Sequence, residues 1–264
     1  MSSVRLADYR PAPYLISRTD LTVRLFEDHA EVEAALAFSP NPASPEQPAE
    51  TLQLAGVDLQ LQHLAIDGEA LAAARYQLSD QGLRLLSPPP GPFVLTSRVR
   101  IEPHSNTTLE GLYVSGGMFT TQCEAEGFRR ITFHPDRPDL LSRFRVRIEA
   151  DRSSCPVLLS NGNCIETGDL DGGRHYAIWD DPFPKPSYLF ALVAGVLEEA
   201  TGRFTTASGR NVKLRIHVEP GDLAYTGHAM ASLQRSMAWD EQRYGLEYDL
   251  DEFNIVAVRH FNMG

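Results

Sequence analysis

The chain has 264 residues, 42% of them hydrophobic, with 24 basic against 35 acidic side chains and a net charge of -11 at neutral pH. That is enough apolar material for a real core, in one large domain or two smaller ones. The acidic balance argues against a nucleic-acid partner, whose phosphates demand a basic face, and no run of about 18 apolar residues offers a membrane span.

In chain order, the first two-thirds read as strands. The opening "MSSVRLADYRPAPY" lacks the apolar stretch of a secretory signal. Leu21, Val23 and Leu25 alternate with Thr22 and Arg24. After the turn-rich "PNPASPEQP", Leu52, Leu54, Val57, Leu59 and Leu61 alternate with Gln53, Asp58 and Gln60. Asp67-Gly68 and "SPPPGP" punctuate the chain, and Phe144, Val146 and Ile148 alternate with Arg145 and Arg147. Asn161-Gly162 and "DLDGGRH" supply further turns. A period of two places one set of side chains on one sheet face, and many short strands joined by Pro and Gly turns predict an antiparallel sandwich.

Beyond Gly195 the pattern changes. "NVKLRIHVEP" predicts one more strand, with Val212, Leu214, Ile216 and Val218 on one face. The period then becomes helical from Asp222 to Tyr244, with Met230, Leu233, Met237 and Tyr244 on one stripe, Asp222 as cap and Gly245 at the C′ position. "EFNIVAV" predicts a strand buried on both faces. The expectation is a mainly β chain: an antiparallel β-sandwich domain over 1–196, then the opening of an α/β domain over 197–264.

Few constellations point to chemistry. No two of the eight histidines have the H-E-x-x-H spacing of a zinc helix. His29 and Glu33 are four apart but lie in a strand-like, Ala-rich stretch. There is no G-x-S-x-G nucleophile elbow, and "TASGRN" reads as a hairpin turn. Gly116-Gly117 in "VSGGMFTTQ" reads as a turn, since it lacks the strand–loop–helix setting of a phosphate loop. Cys123, Cys155 and Cys164 are odd in number and lack metal-ligand spacing, which predicts free thiols in a reducing cytoplasm. Cys123 has His134 eleven residues away, and the expected role of such a Cys is a small core side chain. Residues 115–144 stand out for acids, a Gln, a Cys and aromatics with poor alternation: a structural crossover or a ligand loop.

Here a resemblance enters. "MFTTQCEAEGFRRITFHPDRPDLLSRF", "LLSNGN", "WDDPFPKPSYLFALVAG", "SMAWDEQRYGLEYDLD" and "IVAVRHFNMG" together resemble the bacterial, cytoplasmic branch of the aminopeptidase N family, zinc aminopeptidases of the gluzincin group. The likeness runs in order from about Tyr9 to Gly264. It implies an all-β N-terminal domain ahead of a thermolysin-like catalytic domain. It also implies that "FNMG" leads into the G-A-M-E-N exopeptidase motif, with Gly264 its first letter and the zinc ligands further on. The chain would then be the N-terminal part of a longer zinc enzyme, carrying no catalytic residue and no metal ligand of its own; the alternative is a stand-alone β-sandwich interaction module or a pseudogene fragment.

By the same resemblance, Gln122 and Glu124 in "TTQCEAEG" fall on the pair that receives the free amino terminus of a peptide, Met263 on the residue that cushions its first side chain, and Gly264 on backbone offered to the substrate. A carboxylate in a partly dehydrated site binds an ammonium through a charge-assisted hydrogen bond. Glu126, in an extended segment, would point the same way as Glu124. Arg259-His260 stands where the family usually has an acidic or aromatic pair. The expected partners are a peptide with a free amino terminus and the remainder of the catalytic domain.

Overall fold

The computed structural model describes residues 5–46, 49–261 and 263. Its largest element is an eight-stranded sheet. Across it the strands run Asn163–Asp169, Arg174–Pro186, Leu141–Asp151, Tyr14–Leu25, Ala30–Pro40, Phe93–Ile101, Gln60–Ile66 and Glu69–Ala70. The alternating runs are the reason. In Tyr14–Leu25 the apolar Leu21, Val23 and Leu25 are buried, and in Leu141–Asp151 so are Phe144, Val146 and Ile148. Seven β-residue pairs join these two strands in parallel, Leu21 facing Val146 and Val23 facing Ile148. The mainly β architecture is therefore as expected, but the sheet is mixed. A parallel pair has no local signature, because the two strands meet only after a long crossover.

A second sheet runs Val157–Ser160, Leu192–Gly195, Met118–Gln122, Gly111–Ser115, and a third runs Thr51–Ala55, Gly82–Leu86, Tyr76–Ser79. All three share one core, in which Val32 and Ile148 of the large sheet meet Leu112, Phe119 and Ala194 of the second and Leu54, Leu83 and Leu85 of the third. Trp179, buried in the large sheet, donates its indole N–H to the Leu158 carbonyl at 3.1 Å and so ties two sheets together. The alternating Leu52 and Leu54 lie in Thr51–Ala55 of the third sheet, and Leu61 in Gln60–Ile66 of the large one. Asp58 turns the chain between them with a positive φ of 57°.

The last sheet, Glu198–Thr205, Asn211–Val218, Glu252–Val256, is separate. The first two strands form the expected hairpin through 206–210, closed by Thr206 N–H to the Arg210 carbonyl at 2.9 Å. Helix α1, Gly227–Tyr244, packs on it through Met230, Leu233 and Met237 against Val212, Leu214 and Phe204. Gly245 closes the helix in the left-handed conformation, φ 67°, as the sequence indicates. Three expectations fail here. Asp222 does not cap α1, because Thr226 holds that position without a side-chain bond and Asp222 is engaged by Arg259 instead. Tyr244 is 61% exposed and sets its ring edge-on to Trp239. Glu252–Val256 lies parallel to Asn211–Val218 at the sheet edge, so its residues are mostly half-buried, not covered on both faces.

This sheet is anchored to the sandwich. Asn163 donates its amide to Asp251 at 3.1 Å and accepts the Asp251 N–H at 2.9 Å. The Cys164 N–H meets Glu252 at 3.1 Å, and Val256 and Val258 pack on the main core. No helix among the described residues is long and apolar enough to cross a membrane.

Candidate substrate-binding site

The site starts with a hairpin. Gly111–Ser115 and Met118–Gln122 pair in strict register, Ser115 with Met118 and Gly111 with Gln122. Gly116 and Gly117, with φ of 59° and 84°, make the two-residue turn, and positive φ at both positions is what matches the twist of the strands. Every residue of Met118–Gln122 is buried.

At Gln122 the strand ends and the chain folds into a turn. The Gly127 N–H reaches back to the Cys123 carbonyl at 2.8 Å, and a short 3-10 helix, Phe128–Arg130, follows. The Glu124–Ala125 peptide bond is cis. Gln122 donates its Nε2 to the Glu124 carbonyl at 3.0 Å. That bond uses one of the two amide N–H donors and holds the Glu124 backbone against the strand end. The Glu124 carboxylate is exposed and has no ion pair or hydrogen bond among the described residues. Glu126 differs: it pairs with Arg129 at 3.2 Å. Because the segment is a turn and not extended, the expected common direction of Glu124 and Glu126 does not hold.

Beneath the turn lies a buried polar cluster. Asp136, 4% exposed, accepts Arg129 Nε at 2.8 Å, the Arg129 backbone N–H at 3.3 Å and the Ser187 hydroxyl at 2.8 Å. Its own N–H donates to His134 Nδ1 at 3.1 Å. His134 is 1% exposed, and burial holds its pKa down at about 4, with the Asp136 charge opposing the shift. With Nδ1 accepting, the ring proton sits on Nε2, which finds no hydrogen-bond partner among the described residues. The Phe128 ring stands edge-on at 5.0 Å. Burial, with Asp136 adding to it, pushes the Cys123 thiol well up. The fold thus brings Cys123 and His134 into one cluster, but a protonated, buried thiol is no nucleophile. Asp136 and Ser187 were not legible as site-supporting residues; the only hint was an acid following a proline in "FHPDRP".

The final segment returns to this hairpin. The His260 N–H donates to Ser115 Oγ at 3.2 Å, and its carbonyl accepts the Tyr113 hydroxyl at 3.0 Å. Arg259 bridges Glu219 and Asp222. Met263 is 44% exposed, and Gly264 lies outside the described residues.

Among the described residues no three His, Cys, Asp or Glu side chains cluster to hold an ion. His175 is bonded to the Cys155 carbonyl at 2.7 Å and His217 to Asn254 at 3.2 Å. The described residues offer no donor set that fits a zinc ion. Two clefts of about 590 and 580 Å³ are lined by neither Gln122 nor Glu124.

The chain is thus a layered β domain with an exposed carboxylate, unpaired among the described residues, on the turn after Gln122, followed by a three-stranded sheet and a helix. The chain belongs to the peptidase M1 family: residues 19–189 match the Peptidase M1 N-terminal domain. It is 53% identical to the aminopeptidase N of Caulobacter vibrioides over 262 residues, covering 99% of this chain and 30% of that protein. With the Escherichia coli aminopeptidase N it shares 47% over 257 residues, 97% of this chain and 29% of the other. The chain therefore spans about 30% of the length of these relatives, at their N-terminal end. Among solved structures, Legionella pneumophila aminopeptidase A in complex with aspartic acid superposes with a TM-score of 0.94 at 34% identity, over 99% of this chain and 30% of that one. An M1 zinc metallopeptidase from Deinococcus radiodurans, TM-score 0.77 at 17% identity over 92% of this chain and 56% of that one, shares the fold.

Proposed function

We propose that this chain is the recognition part of a zinc-dependent aminopeptidase acting on peptides in a reducing cytoplasm. Residues 1–196 form the domain that reads the substrate's amino terminus, and 197–264 open the catalytic domain. Glu124 receives the terminal ammonium, Gln122 offers its Oε1 beside it, Met263 cushions the first side chain, and Gly264 offers backbone to the substrate. The zinc and the groups that attack the peptide bond belong to sequence beyond this chain, so the chain by itself is inactive.

One observation carries the reading. Glu124 is an acid without a partner among the described residues, on a turn held by the Gln122 and Gly127 hydrogen bonds, while Glu126, two residues on, pairs with Arg129. An ammonium has three donors, and an unpaired carboxylate with an amide oxygen alongside supplies acceptors for it. An uncharged end would leave that carboxylate without its cation, which disfavours blocked peptides. Met263, a flexible thioether, suits a position that must accept many side chains.

The test is a chimera in which this chain replaces the matching segment of the C. vibrioides aminopeptidase N. Glu124→Ala removes one charge-assisted contact of about 1.5–3 kcal/mol, so kcat/KM for free-amine substrates falls about 10- to 150-fold. Glu126→Ala, losing only an exposed ion pair, stays within about threefold. Equal kinetics for Glu124→Ala and the unmodified chimera would sink the assignment.

A further inference from the structure

Resting on that reading, we propose that Arg259 is a positioning residue: it locks the segment that carries Met263 onto the hairpin that carries Gln122 and Glu124, so that both walls of the site move as one body. Arg259 Nε donates to Glu219 at 2.5 Å and Nη2 donates to Asp222 at 2.9 Å. Glu219 directly follows the strand Asn211–Val218, and Asp222 precedes the short helix that leads into α1. The guanidinium fork therefore staples the closing segment to the connection between strand and helix, a geometry a lysine's single point charge reproduces only in part.

Glu219 also touches the hairpin. Its side chain is only 20% exposed, and it leans over the turn so closely that a Cβ on Gly116 would stand 3.0 Å from its Oε1. One carboxylate thus meets both the Arg259 side chain and the hairpin tip. The next residue completes the lock, since both backbone polar groups of His260 are held by Ser115 and Tyr113, 2% and 0% exposed. Tyr113 stands opposite Thr120, and Gly111 opposite Gln122. Alternate residues share a sheet face, so Tyr113 and Gln122 point the same way, two residues or about 7 Å apart along the strand. The segment leading to Met263 is pinned on the face from which Gln122 projects.

The charge balance makes Arg259 necessary to this arrangement. Glu219 and Asp222 are both acidic, and Glu219 Oε1 is already buried without a partner among the described residues. Without the guanidinium, Glu219 turns toward water and releases the hairpin contact. Arg259 is itself 56% exposed, so the ion pairs add little to global stability. What they fix is placement.

Two measurements test this. In the 264-residue chain, hydrogen exchange at the His260 amide should accelerate about tenfold in Arg259→Ala and less than about threefold in Arg259→Lys, with the amides of Gly111–Gln122 unchanged. In the chimera, Arg259→Ala should raise KM for free-amine substrates about three- to tenfold with kcat within about twofold, and Arg259→Lys should recover most of the loss. Unchanged exchange at His260 overturns the lock. An active chimera whose KM ignores Arg259→Ala overturns the positioning role while leaving the functional reading intact. A chimera inactive with the unmodified sequence overturns that reading and this proposal with it.

Discussion

His134 should make the stability of the β domain depend on pH in a defined window. Its imidazole is 1% exposed and held neutral with a pKa of about 4, against 6.5 in an unfolded chain. Between those values the unfolded state binds more protons than the folded state, so stability falls as pH drops from about 6.5 to about 4. It is then constant with respect to this group, because both states are protonated. A difference of about 2.5 pKa units corresponds to about 3 kcal/mol. Burial lowers His217 as well, so its slope adds in the same direction. His134→Asn separates the two. The Asn carbonyl oxygen can replace Nδ1 as acceptor for the Asp136 N–H, and the cost of the smaller side chain does not vary with pH. Urea unfolding of both proteins at several pH values from 7 to 4.5, followed through the buried Trp179, gives the comparison. The wild-type midpoint should move down by about 1 M more than that of the variant, for an m-value near 3 kcal/mol/M. Parallel pH profiles would refute the reasoning and mean that His134 is hydrated or charged in the folded protein.

Other outcomes follow from the same geometry. Asp136→Ala strips Arg129 and Ser187 of their acceptor and should cost about 3–5 kcal/mol in urea unfolding, the scale of breaking a buried charge pair; a loss below about 1 kcal/mol would contradict the hub. Ile148→Ala, at a fully buried position in the middle of the large sheet, should cost about 2–5 kcal/mol, read from the same curves. Asn163→Ala removes both bonds to Asp251 and should loosen the last sheet, so that limited proteolysis cuts 197–264 sooner while the sandwich stays intact. Incubated alone with an amino-acid anilide, the purified chain should give no turnover that survives repurification.

Local rules made much of this fold legible. The alternation at Leu21–Leu25 and Phe144–Ile148, the turn glycines 116 and 117, the hairpin at 206–210 and the closing Gly245 all depend on neighbours within a few residues, where backbone sterics and burial periodicity decide. What the sequence concealed was long-range competition. Asp222 has the chemistry of a helix cap, yet Arg259 claims its carboxylate from 37 residues away. Glu124 and Glu126 look alike in a string, yet a turn separates them and Arg129 neutralises one. Asp136 reads as an ordinary loop acid, and only the folded chain brings Arg129, Ser187 and His134 around it. The proposed anchor, Gln122 with Glu124, was visible only through family resemblance, because an unpaired acid is defined by what fails to approach it.

The parallel pairing of Tyr14–Leu25 with Leu141–Asp151 sets a timetable for synthesis. The first strand can close on Ala30–Pro40 as soon as both leave the ribosome, but its other edge stays open until the chain has been made to Asp151. At about 5–20 residues per second, that edge waits on the order of 6–25 seconds. Meanwhile it presents unpaired amides flanked by Leu21, Val23 and Leu25, a template for any passing strand. The alternate residues that face out of the core along this edge, Arg18, Asp20, Thr22 and Arg24, are polar or charged. On the finished protein they are cross-strand neighbours; on the nascent one they are the guard that keeps the open edge from recruiting the wrong chain.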